Sequence, residues 1–484
     1  MGYLISIAFF RLFLHPLANF PGPRLAALTS WYEFYYNVLK GGRFLWEIER
    51  LHQRYGPVVR INPDELHIAD PEFYHEIYSP PWKKQDKEKN YVRLGGQAGS
   101  TLTTTDHDLH RLRASAIVPF FSKQAIEKIE PLIKSKVERL CAFLDMCIEM
   151  GDIVTVSHAA LALTVDIISS YAYGESYDCL ELADLGAEFR KILISANEGY
   201  AILRHFHWLH AVMHWLYHWG CAASPYIKWQ KRIAEQTTKV CYLHQKNKLP
   251  AGTIFQAILD SNLPASEKEP WRLNIEAQTI LHAGSETSAK TLEIILFYLL
   301  NDTVKLERLR AELVTIMPEP TSSISWNELR SLPYLSAVIQ EGLRLQFGIT
   351  TRSPRVSHTA MVYKNWVIPA GTPVSMLTWF VHTNEALFPR PFEFRPDRWI
   401  HSAGHGVRLD KYLTSFGKGS RQCLGINLAY SQITITLATL IRRFEFELFE
   451  STVEDVAPAR DCFIAYPEKH SKGVRFRVVG RVDK

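Results

Sequence analysis

The residues with the clearest chemical potential lie in one short segment near the carboxyl end of the chain. It runs from Phe416 to Gly425 with the sequence FGKGSRQCLG, which is the pattern FxxGxRxCxG around Cys423. Five fixed residue types at this spacing are expected by chance roughly once in several thousand chains of this size. A lone cysteine binds iron as a thiolate, and a thiolate needs nearby donors and positive charge to stay ionised. The segment therefore predicts an iron-binding thiolate.

The glycines around the cysteine fit this chemistry. Gly417, Gly419 and Gly425 let the backbone turn tightly under a flat macrocycle and direct N–H groups at the sulfur. The apolar run that follows, 433–441, predicts a helix, so Cys423 lies just before a helix amino terminus whose dipole favours negative charge. The alternative is an ordinary buried thiol, which needs none of these neighbours.

Arg421 and Phe416 complete the segment. Arg421 is placed to meet an anionic group such as a propionate, and Phe416 can pack against the loop and exclude water. At this point the sequence resembles the cytochromes P450, the haem-thiolate monooxygenases, over nearly the whole chain. The resemblance implies haem b as cofactor, with Cys423 as the axial ligand of its iron and with Arg421, Phe416, Gly417 and Gly425 in the haem-binding loop.

A second polar segment interrupts a long helical pattern. Residues 274–300 predict one helix, and its middle, AGSETS, inserts a glycine and polar groups into an apolar run, a local conflict typical of functional sites. The resemblance implies that this helix crosses the haem, that Ala283 and Gly284 leave room for dioxygen, and that Glu286 and Thr287 deliver protons. The alternative is a hydroxyl that only bonds back to the preceding turn.

Two further motifs indicate a structural network. Glu341 and Arg344 form an ExxR pair on one helix face, and the segment FRPDRW, with Asp397 and Arg398, follows about fifty residues later. The resemblance implies that Glu341, Arg344 and Arg398 form a buried network that braces the thiolate loop, with Asp397 replacing the family's usual glutamate. Breaking such a network should cost several kcal/mol, because it strands a buried charge.

The haem propionates should contact further basic residues. The resemblance places Arg352 there, with Arg355 as the substitute if the count slips. In the family a Trp or His precedes a propionate-binding arginine by four residues. His107 and Arg111 match this spacing, but counting back from Phe121 favours His110 and Ala114, a register that loses the arginine. The alternative is a solvated basic helix face.

Composition bounds the fold class. The chain has 484 residues, 47% of them apolar and 22% charged, the profile of a globular protein with a large core. We expect a mainly α fold with a smaller β region (α+β) and a single catalytic domain over residues 21–484. A net charge of +5 is too small to indicate nucleic-acid binding. Seven cysteines without a CxxC pair argue against disulfides or zinc.

Residues 1–20 contain a short apolar segment, 3–14, that is interrupted by Arg11 and followed by the proline-rich hinge at 21–23. It is shorter than the roughly 20 residues that span a bilayer. The resemblance implies a shortened anchor, a domain that contacts the membrane surface, and location at the endoplasmic reticulum facing the cytosol. The alternative is a buried amino-terminal helix.

A histidine- and aromatic-rich stretch, 205–218, also suits a membrane interface. His210, His214 and His218 are spaced by four, which would put them on one helical face. A metal site there is the alternative, although the stretch offers no carboxylate or thiolate.

The resemblance implies a monooxygenase that inserts one atom of dioxygen into an apolar small molecule. The hinge and the segment Pro119–Ser122 are most similar to filamentous-fungal members of the trichodiene-oxygenase-like type, which hydroxylate or epoxidise terpenoid or polyketide intermediates of secondary metabolism. The chain has no flavin or nucleotide fingerprint, so electrons are expected from NADPH through a separate flavin-containing reductase, with cytochrome b5 as an optional second donor. The basic residues considered for reductase docking are Lys411, Lys418, Arg442 and Arg443.

Two other functions share the same motif. A haem-thiolate isomerase or dehydratase needs no reductase, and a non-catalytic haem sensor or electron carrier needs a blocked distal side. The pair Glu286 and Thr287 argues against the first, and the small residues Ala283 and Gly284 leave the distal side open against the second.

Overall fold

The computed structural model describes residues 2–78, 84–90, 98–206, 208–209, 212, 215 and 225–482. His210, His214 and His218 lie outside these residues. The α-helices, in chain order, are α1 (Gly2–Phe9), α2 (Arg24–Leu28), α3 (Trp31–Phe34), α4 (Phe44–Tyr55), α5 (Tyr74–Ile77), α6 (His107–Ser115), α7 (Lys123–Lys128), α8 (Glu130–Met150), α9 (Val156–Tyr173), α10 (Ala187–His205), α11 (Pro225–Gln245), α12 (Ile254–Asp260), α13 (Pro270–Leu300), α14 (Thr303–Val314), α15 (Trp326–Leu329), α16 (Pro333–Gln346), α17 (Thr378–His382), α18 (Asp397–Gly404) and α19 (Ile426–Arg443).

Strands form a smaller part of the fold. They are β1 (Val58–Asn62), β2 (Glu65–Ile68), β3 (Gln85–Lys87), β4 (Ile153–Thr155), β5 (Arg355–Ser357), β6 (Met361–Tyr363), β7 (Trp366–Ile368), β8 (Pro373–Ser375), β9 (Phe444–Leu448), β10 (Arg460–Cys462), β11 (Ile464–Tyr466) and β12 (Arg475–Arg481). The largest sheet has the order β1-β2-β8-β5-β3, a second has the order β4-β12-β9, and the pairs β6-β7 and β10-β11 stand apart.

Short-range signals explain several of these elements. Asn62-Pro-Asp64 turns β1 into β2, which pair antiparallel with Val58 opposite Ile68. Ser325 begins α15 with a full capping box, in which its side chain accepts from the Glu328 backbone and the Glu328 carboxylate accepts in return. Such reciprocal capping satisfies two of the amide donors that a helix leaves open at its start.

The longest helix, α13, has the central position in the core. It packs against α9, α11, α16 and α19, and 21 of its 31 residues are buried. One hydrophobic cluster contains residues from Ile117 to Val478. Because a single core draws on both halves of the chain, the expected single-domain, mainly α fold with a smaller β region is confirmed.

The amino-terminal helix is exposed. None of the residues of α1 is buried, and Tyr3, Leu4 and Ile5 are at least 64% accessible. The alternative of a buried amino-terminal helix is therefore wrong, because α1 does not pack into the core. Among the residues that the structure describes, no helix has the length and apolar character needed to cross a membrane.

Candidate active site

One large cavity brings most of the predicted site residues together. Its empty space, including the part open to solvent, is about 2350 Å³. The predicted residues that line it are Ala283, Gly284, Glu286, Thr287, Phe416, Gly417, Arg421, Cys423 and Gly425. Two segments separated by more than a hundred residues therefore meet at one cavity.

The Cys423 loop is a tight backbone turn. The Cys423 N–H donates to the Phe416 carbonyl at 2.9 Å, and the Gly417 N–H donates to the Thr414 carbonyl at 2.8 Å. Gly417 and Gly419 have φ values of +65° and +73°, the left-handed region that side chains disfavour. The turn that presents the cysteine therefore favours glycine at positions 417 and 419.

Cys423 lines the cavity and is exposed on that side. The surrounding protein raises the pKa of the thiol by burial, and a hydrogen bond from the Gly425 backbone opposes that shift. A cysteine in this position is stable as a thiolate when it binds a cation. The Phe416 ring packs against Tyr430 at a centroid distance of 5.5 Å, which covers one side of the loop. Cys462, by contrast, is buried and does not line this cavity.

A buried carboxylate stands behind the loop. Glu341 is fully buried and accepts from Arg344 Nε at 2.9 Å and Nη2 at 2.8 Å. Arg398 Nε donates to it at 3.0 Å and Trp399 Nε1 at 2.9 Å. The Arg395 backbone N–H also donates to it at 2.9 Å. The structure thus brings Glu341, Arg344 and Arg398 together as the ExxR and FRPDRW motifs predict.

His382 links this network to the cysteine loop, and no sequence pattern marks it. Burial and then the charge of Arg344 lower the pKa of His382 to about 3, so the ring is neutral. Its Nδ1 lies 2.8 Å from the Arg344 carbonyl, and its Nε2 accepts from the Thr414 N–H at 3.0 Å. Ser415 also donates to the Leu343 carbonyl at 2.8 Å. The network therefore holds the start of the loop directly.

Six basic side chains among the described residues line the cavity. Lys87, His110, Arg355 and Arg421 form one cluster, and the other two are His282 on α13 and Lys418 in the cysteine loop. Arg421 is anchored by donating to the carbonyls of Thr104 at 2.6 Å and Thr105 at 2.8 Å. Lys87 on β3 lies opposite Arg355 on β5. Burial and then Arg355 lower the pKa of Arg421 to about 10 and lower the pKa of Lys87 well below its usual value.

This basic cluster fits the two propionates of haem. The carboxylates that line the cavity, Glu276 and Glu286, both belong to α13. The buried Nε of Arg421 and Nδ1 of His110 have no hydrogen-bond partner among the described residues. Buried cations that repel each other and leave donors unsatisfied are stabilised by an anionic ligand. Together with Cys423, these residues form a set that can hold haem.

The structure corrects the expectation for Arg352. Its guanidinium is buried, with Nε donating to Glu65 at 2.7 Å and Nη1 to Glu33 at 2.8 Å. It does not line the cavity, whereas Arg355 does. The two arginines are three residues apart, and the start of β5 at Arg355 decides which of them faces inward.

The register of α6 is also resolved. Arg111 is exposed and does not line the cavity, so it is not placed to bind the cofactor; His110 lines the cavity instead. The position four residues after His110 is Ala114, so this register supplies no arginine. Lys87, which the sequence analysis missed, takes its place. No local pattern marks this lysine, because strand pairing with a segment about 270 residues away puts it there.

The centre of α13 forms the other side of the cavity. Burial raises the pKa of Glu286, which favours the protonated carboxyl. Thr287 lines the cavity and its hydroxyl donates to the Ala283 carbonyl at 2.9 Å. The back-bond expected of an ordinary helical threonine is therefore present, and it leaves the lone pairs of the hydroxyl oxygen available to a donor in the cavity.

Gly284 has a packing role that the sequence did not show. A Cβ at this position would lie 2.7 Å from Ile168 Cγ1 on α9. A side chain here would force α9 and α13 apart, since interiors are close-packed. Gly284 therefore permits the close approach of these helices. The small side chain of Ala283 occupies little of the adjoining cavity.

Comparison with known proteins agrees with this geometry. A family model described as Cytochrome P450 matches residues 27–471. The chain is 40% identical to conidiogenone synthase PchP450 of Penicillium rubens, across 99% of this chain and 97% of that protein. It is 37% identical to cytochrome P450 monooxygenase aflU of Aspergillus parasiticus, across 100% and 98%. It is also 37% identical to tryptophan 6-hydroxylase fscE of Fusarium equiseti, across 98% and 94%.

A solved structure shares the fold. The crystal structure of a cytochrome P450, CYP102L1, aligns with a TM-score of 0.75 and covers 96% of this chain and 99% of its own, at 19% identity. The full-length similarity to fungal monooxygenases and the cavity between Cys423 and α13 lead to the same conclusion. The chain belongs to the cytochrome P450 family and is a cytochrome P450 monooxygenase.

Proposed function

We propose that this protein hydroxylates or epoxidises an apolar small molecule, with dioxygen as the oxygen source and with electrons from NADPH through a separate flavoprotein reductase. The observation that carries the proposal is that Cys423 and the pair Glu286 and Thr287 line the same cavity. When bound, haem supplies activation of dioxygen, favoured by an electron-rich thiolate ligand. The chain itself positions the substrate, excludes water and moves protons.

The residues of the proximal side hold the cofactor. Cys423 would ligate the iron, with the loop fixed by its bond to Phe416 and by His382. Arg421, Arg355, Lys87 and His110 would meet the propionates, because charge-assisted bonds to carboxylates are strong.

The residues of the distal side handle protons. Burial raises the pKa of Glu286, so its carboxyl can hold a proton and release it into the cavity. Thr287, one residue further along α13, presents a hydroxyl oxygen that can accept and donate a proton in turn. The pair therefore supplies the proton route that a monooxygenase needs and that an isomerase or dehydratase can omit.

The cavity lining favours an apolar substrate. Its aliphatic and aromatic lining includes Ile117, Ile168, Ile280, Ile349 and Phe463. A terpenoid or polyketide intermediate of fungal secondary metabolism suits this lining. One relative is named a synthase of conidiogenone and another a tryptophan 6-hydroxylase, so the choice of substrate rests on the lining residues and not on the shared motifs.

The electron donor would dock on the surface nearest the cysteine loop. Of the basic residues considered for docking, Arg442 is buried and donates to the Met317 carbonyl at 2.8 Å, and Arg443 pairs with Glu138. Lys411 is exposed. We expect Lys411→Glu to slow reduction by the reductase at low salt, because opposite charges steer such encounters. An unchanged rate would remove this residue from the docking surface.

The exposed amino-terminal helix supports attachment to a membrane surface. Phe9, Phe13 and Leu14 are at least 55% accessible, and exposed aromatic and aliphatic side chains of this kind favour the lipid interface. We propose location at the endoplasmic reticulum with the catalytic domain in the cytosol. Removal of residues 1–14, which leaves the buried Leu17 and Phe20 in place, should shift the expressed protein from the membrane fraction to the soluble fraction.

The proposal is tested with purified protein, a fungal P450 reductase and a panel of cyclic terpenes and aromatic polyketides. We expect NADPH and dioxygen consumption that depends on a panel member, and one ¹⁸O atom from ¹⁸O₂ in the product. Cys462→Ser is the matched control for Cys423→Ser, because Cys462 is buried outside the large cavity. Product formation without NADPH would indicate an isomerase or dehydratase instead.

A further inference from the structure

Glu286 has an asymmetric hydrogen-bond environment. The Tyr466 hydroxyl donates to its Oε1 at 3.3 Å. Arg190 Nη2 lies 3.9 Å from the same oxygen, beyond hydrogen-bond distance. The other oxygen, Oε2, is buried and has no partner among the described residues. The two oxygens are therefore inequivalent, and Tyr466 is the side chain that makes them so.

The orientation of the Tyr466 hydroxyl is itself fixed. Asn197 Nδ2 donates to the Tyr466 oxygen at 3.1 Å. A tyrosine hydroxyl carries one proton, so an oxygen that accepts from Asn197 directs its own O–H toward Glu286. Both residues are at least 95% buried, which restricts rotation of the ring and of the amide. A chain of two hydrogen bonds thus runs from α10 through the end of β11 to α13.

Asn197 also lines the large cavity. The chain of hydrogen bonds therefore begins at a residue that a bound molecule can touch and ends at the carboxyl of Glu286. Arg190, which also belongs to α10, brings a positive charge to the same carboxyl. A single helix thus presents two groups that act on Glu286.

We propose that Asn197 and Tyr466 are positioning residues that hold Oε1 of Glu286, so that Oε2 is the oxygen that carries the proton. This inference rests on the proposed function, which gives Glu286 the role of proton donor. It adds Asn197 of α10 and Tyr466 of β11 to Glu286 and Thr287, the proton-handling pair of α13.

The charges around Glu286 determine the sign of the expected effect. Burial raises its pKa and Glu293, on the same helix, adds to the rise; Arg190 from α10 and Lys290 from α13 oppose it, as does the hydrogen bond from Tyr466. A donor to a carboxylate stabilises the ionised form. Removing the Tyr466 hydroxyl should therefore raise the pKa of Glu286, so that the carboxyl keeps its proton to a higher pH.

The test measures the protonated carboxyl directly by infrared difference spectroscopy of the holoenzyme. The band of Glu286 is assigned as the band that Glu286→Gln removes, and it is titrated against pH. We expect Tyr466→Phe to move its midpoint upward by about one pH unit, the size of a hydrogen bond to a charged group. Asn197→Ala should move it in the same direction by less. An unmoved midpoint in Tyr466→Phe would overturn the proposal.

Tyr173→Phe is the matched control, because Tyr173 on α9 is a buried tyrosine that does not line the cavity. Its midpoint should equal that of the wild type; an equal upward shift in this control would refute a specific role for Tyr466. If Tyr466→Phe fails to fold, as judged by the carbon monoxide difference spectrum, Asn197→Ala decides the question by the same criterion.

A second readout separates this inference from the proposed function. If Glu286→Gln leaves the product formed per NADPH unchanged while the infrared midpoint still moves in Tyr466→Phe, the proton-donor role fails and the positioning stands. If Glu286→Gln lowers the product per NADPH but Tyr466→Phe leaves the midpoint unmoved, the positioning fails and the proposed function stands.

Discussion

Two buried glutamates on opposite sides of the cavity are held in different ways. Glu341 behind the cysteine loop accepts from Arg344 twice, and from Arg398, Trp399 and a backbone N–H, all within 3.0 Å. Glu286 on the distal helix accepts one bond of 3.3 Å, and its other oxygen has no partner within the part of the chain that the structure describes. Both side chains are at most 3% exposed, so burial alone does not explain the difference.

This difference indicates which side of the cavity stays fixed. A buried carboxylate with every lone pair satisfied resists both movement and protonation. A buried carboxylate with an open oxygen can change its protonation and orientation at lower cost. The proximal side therefore fixes the ligand of the cofactor, and the distal side retains the freedom that proton delivery requires.

The largest effect should come from the cysteine itself. Cys423→Ser or Cys423→His removes the thiolate, so we expect loss of the carbon monoxide absorption typical of a thiolate-bound haem and loss of measurable NADPH-dependent product. Cys462→Ser should retain both. A Cys423→Ser protein with an unaltered spectrum and activity would contradict the assignment of this residue as the iron ligand.

The next largest effect tests the fixed side of the comparison. Glu341→Gln leaves Arg344 and Arg398 without their counter-charge, which should lower the free energy of unfolding by about 3–5 kcal/mol. Glu138→Gln is the control, because Glu138 pairs with Arg443 while its own side chain is 56% exposed, and such surface pairs contribute about 0–1 kcal/mol. Thermal unfolding of both variants measures the contrast. Equal losses of unfolding free energy in the two variants would show that the Glu341 network contributes no more than a surface ion pair.

The same contrast explains what the sequence could and could not predict. The cysteine loop, Glu341 and Arg344, and the capping box at Ser325 are local patterns, so their geometry follows from spacing along the chain. His382 and Lys87 enter the site through packing and strand pairing with distant segments, and no spacing rule marks them. Local motifs predicted the chemistry, whereas tertiary contacts supply much of its support.

Register was the weakest part of the prediction from sequence. Arg352 and Arg355 are three residues apart, and β-strand pairing rather than residue type decides that Arg355 lines the cavity while Arg352 pairs with Glu33. Likewise, His110 and not Arg111 faces inward on α6. Gly284 matched the expected small residue, but its contact with Ile168 on α9 required the structure. Side-chain direction thus depends on partners that the sequence does not name.

A prediction of intermediate size tests the distal side. Thr287→Val removes the hydroxyl at nearly the same volume, so we expect cofactor binding and unfolding temperature to stay unchanged while the product formed per NADPH falls by about tenfold, equivalent to about 1.4 kcal/mol. Thr237→Val is the control, because the Thr237 hydroxyl also bonds back one turn, to the Ile233 carbonyl at 2.8 Å, and Thr237 does not line the cavity. Equal coupling in Thr287→Val and the wild type would mean that Thr287 has only its helical bond.

An effect of comparable size, on the rate of haem dissociation and not on turnover, tests the basic cluster. Lys87→Met removes a buried cation that Arg355 and Arg421 repel, so the protein without haem should be no less stable, whereas haem should dissociate about tenfold faster because a propionate loses a charge-assisted bond. Haem transfer to apomyoglobin measures the rate. Lys411→Met, at an exposed position, should leave it unchanged; faster loss in both variants would indicate a general charge effect.

The smallest effect is a pH dependence of stability, which tests the side of the cavity that holds Cys423. The pKa of His382 is lowered to about 3, below its value of about 6.5 in an unfolded chain. Between these values the unfolded state binds the extra proton, so His382 contributes stability that is complete above pH 6.5 and falls by about 1.4 kcal/mol per pH unit below it. His382→Asn should therefore show a shallower loss of unfolding temperature between pH 7.5 and 5.5 than the wild type, whereas His401→Asn on the exposed face of α18 should follow the wild type. Parallel pH profiles for His382→Asn and the wild type would mean that the link between Arg344 and Thr414 does not depend on a neutral imidazole.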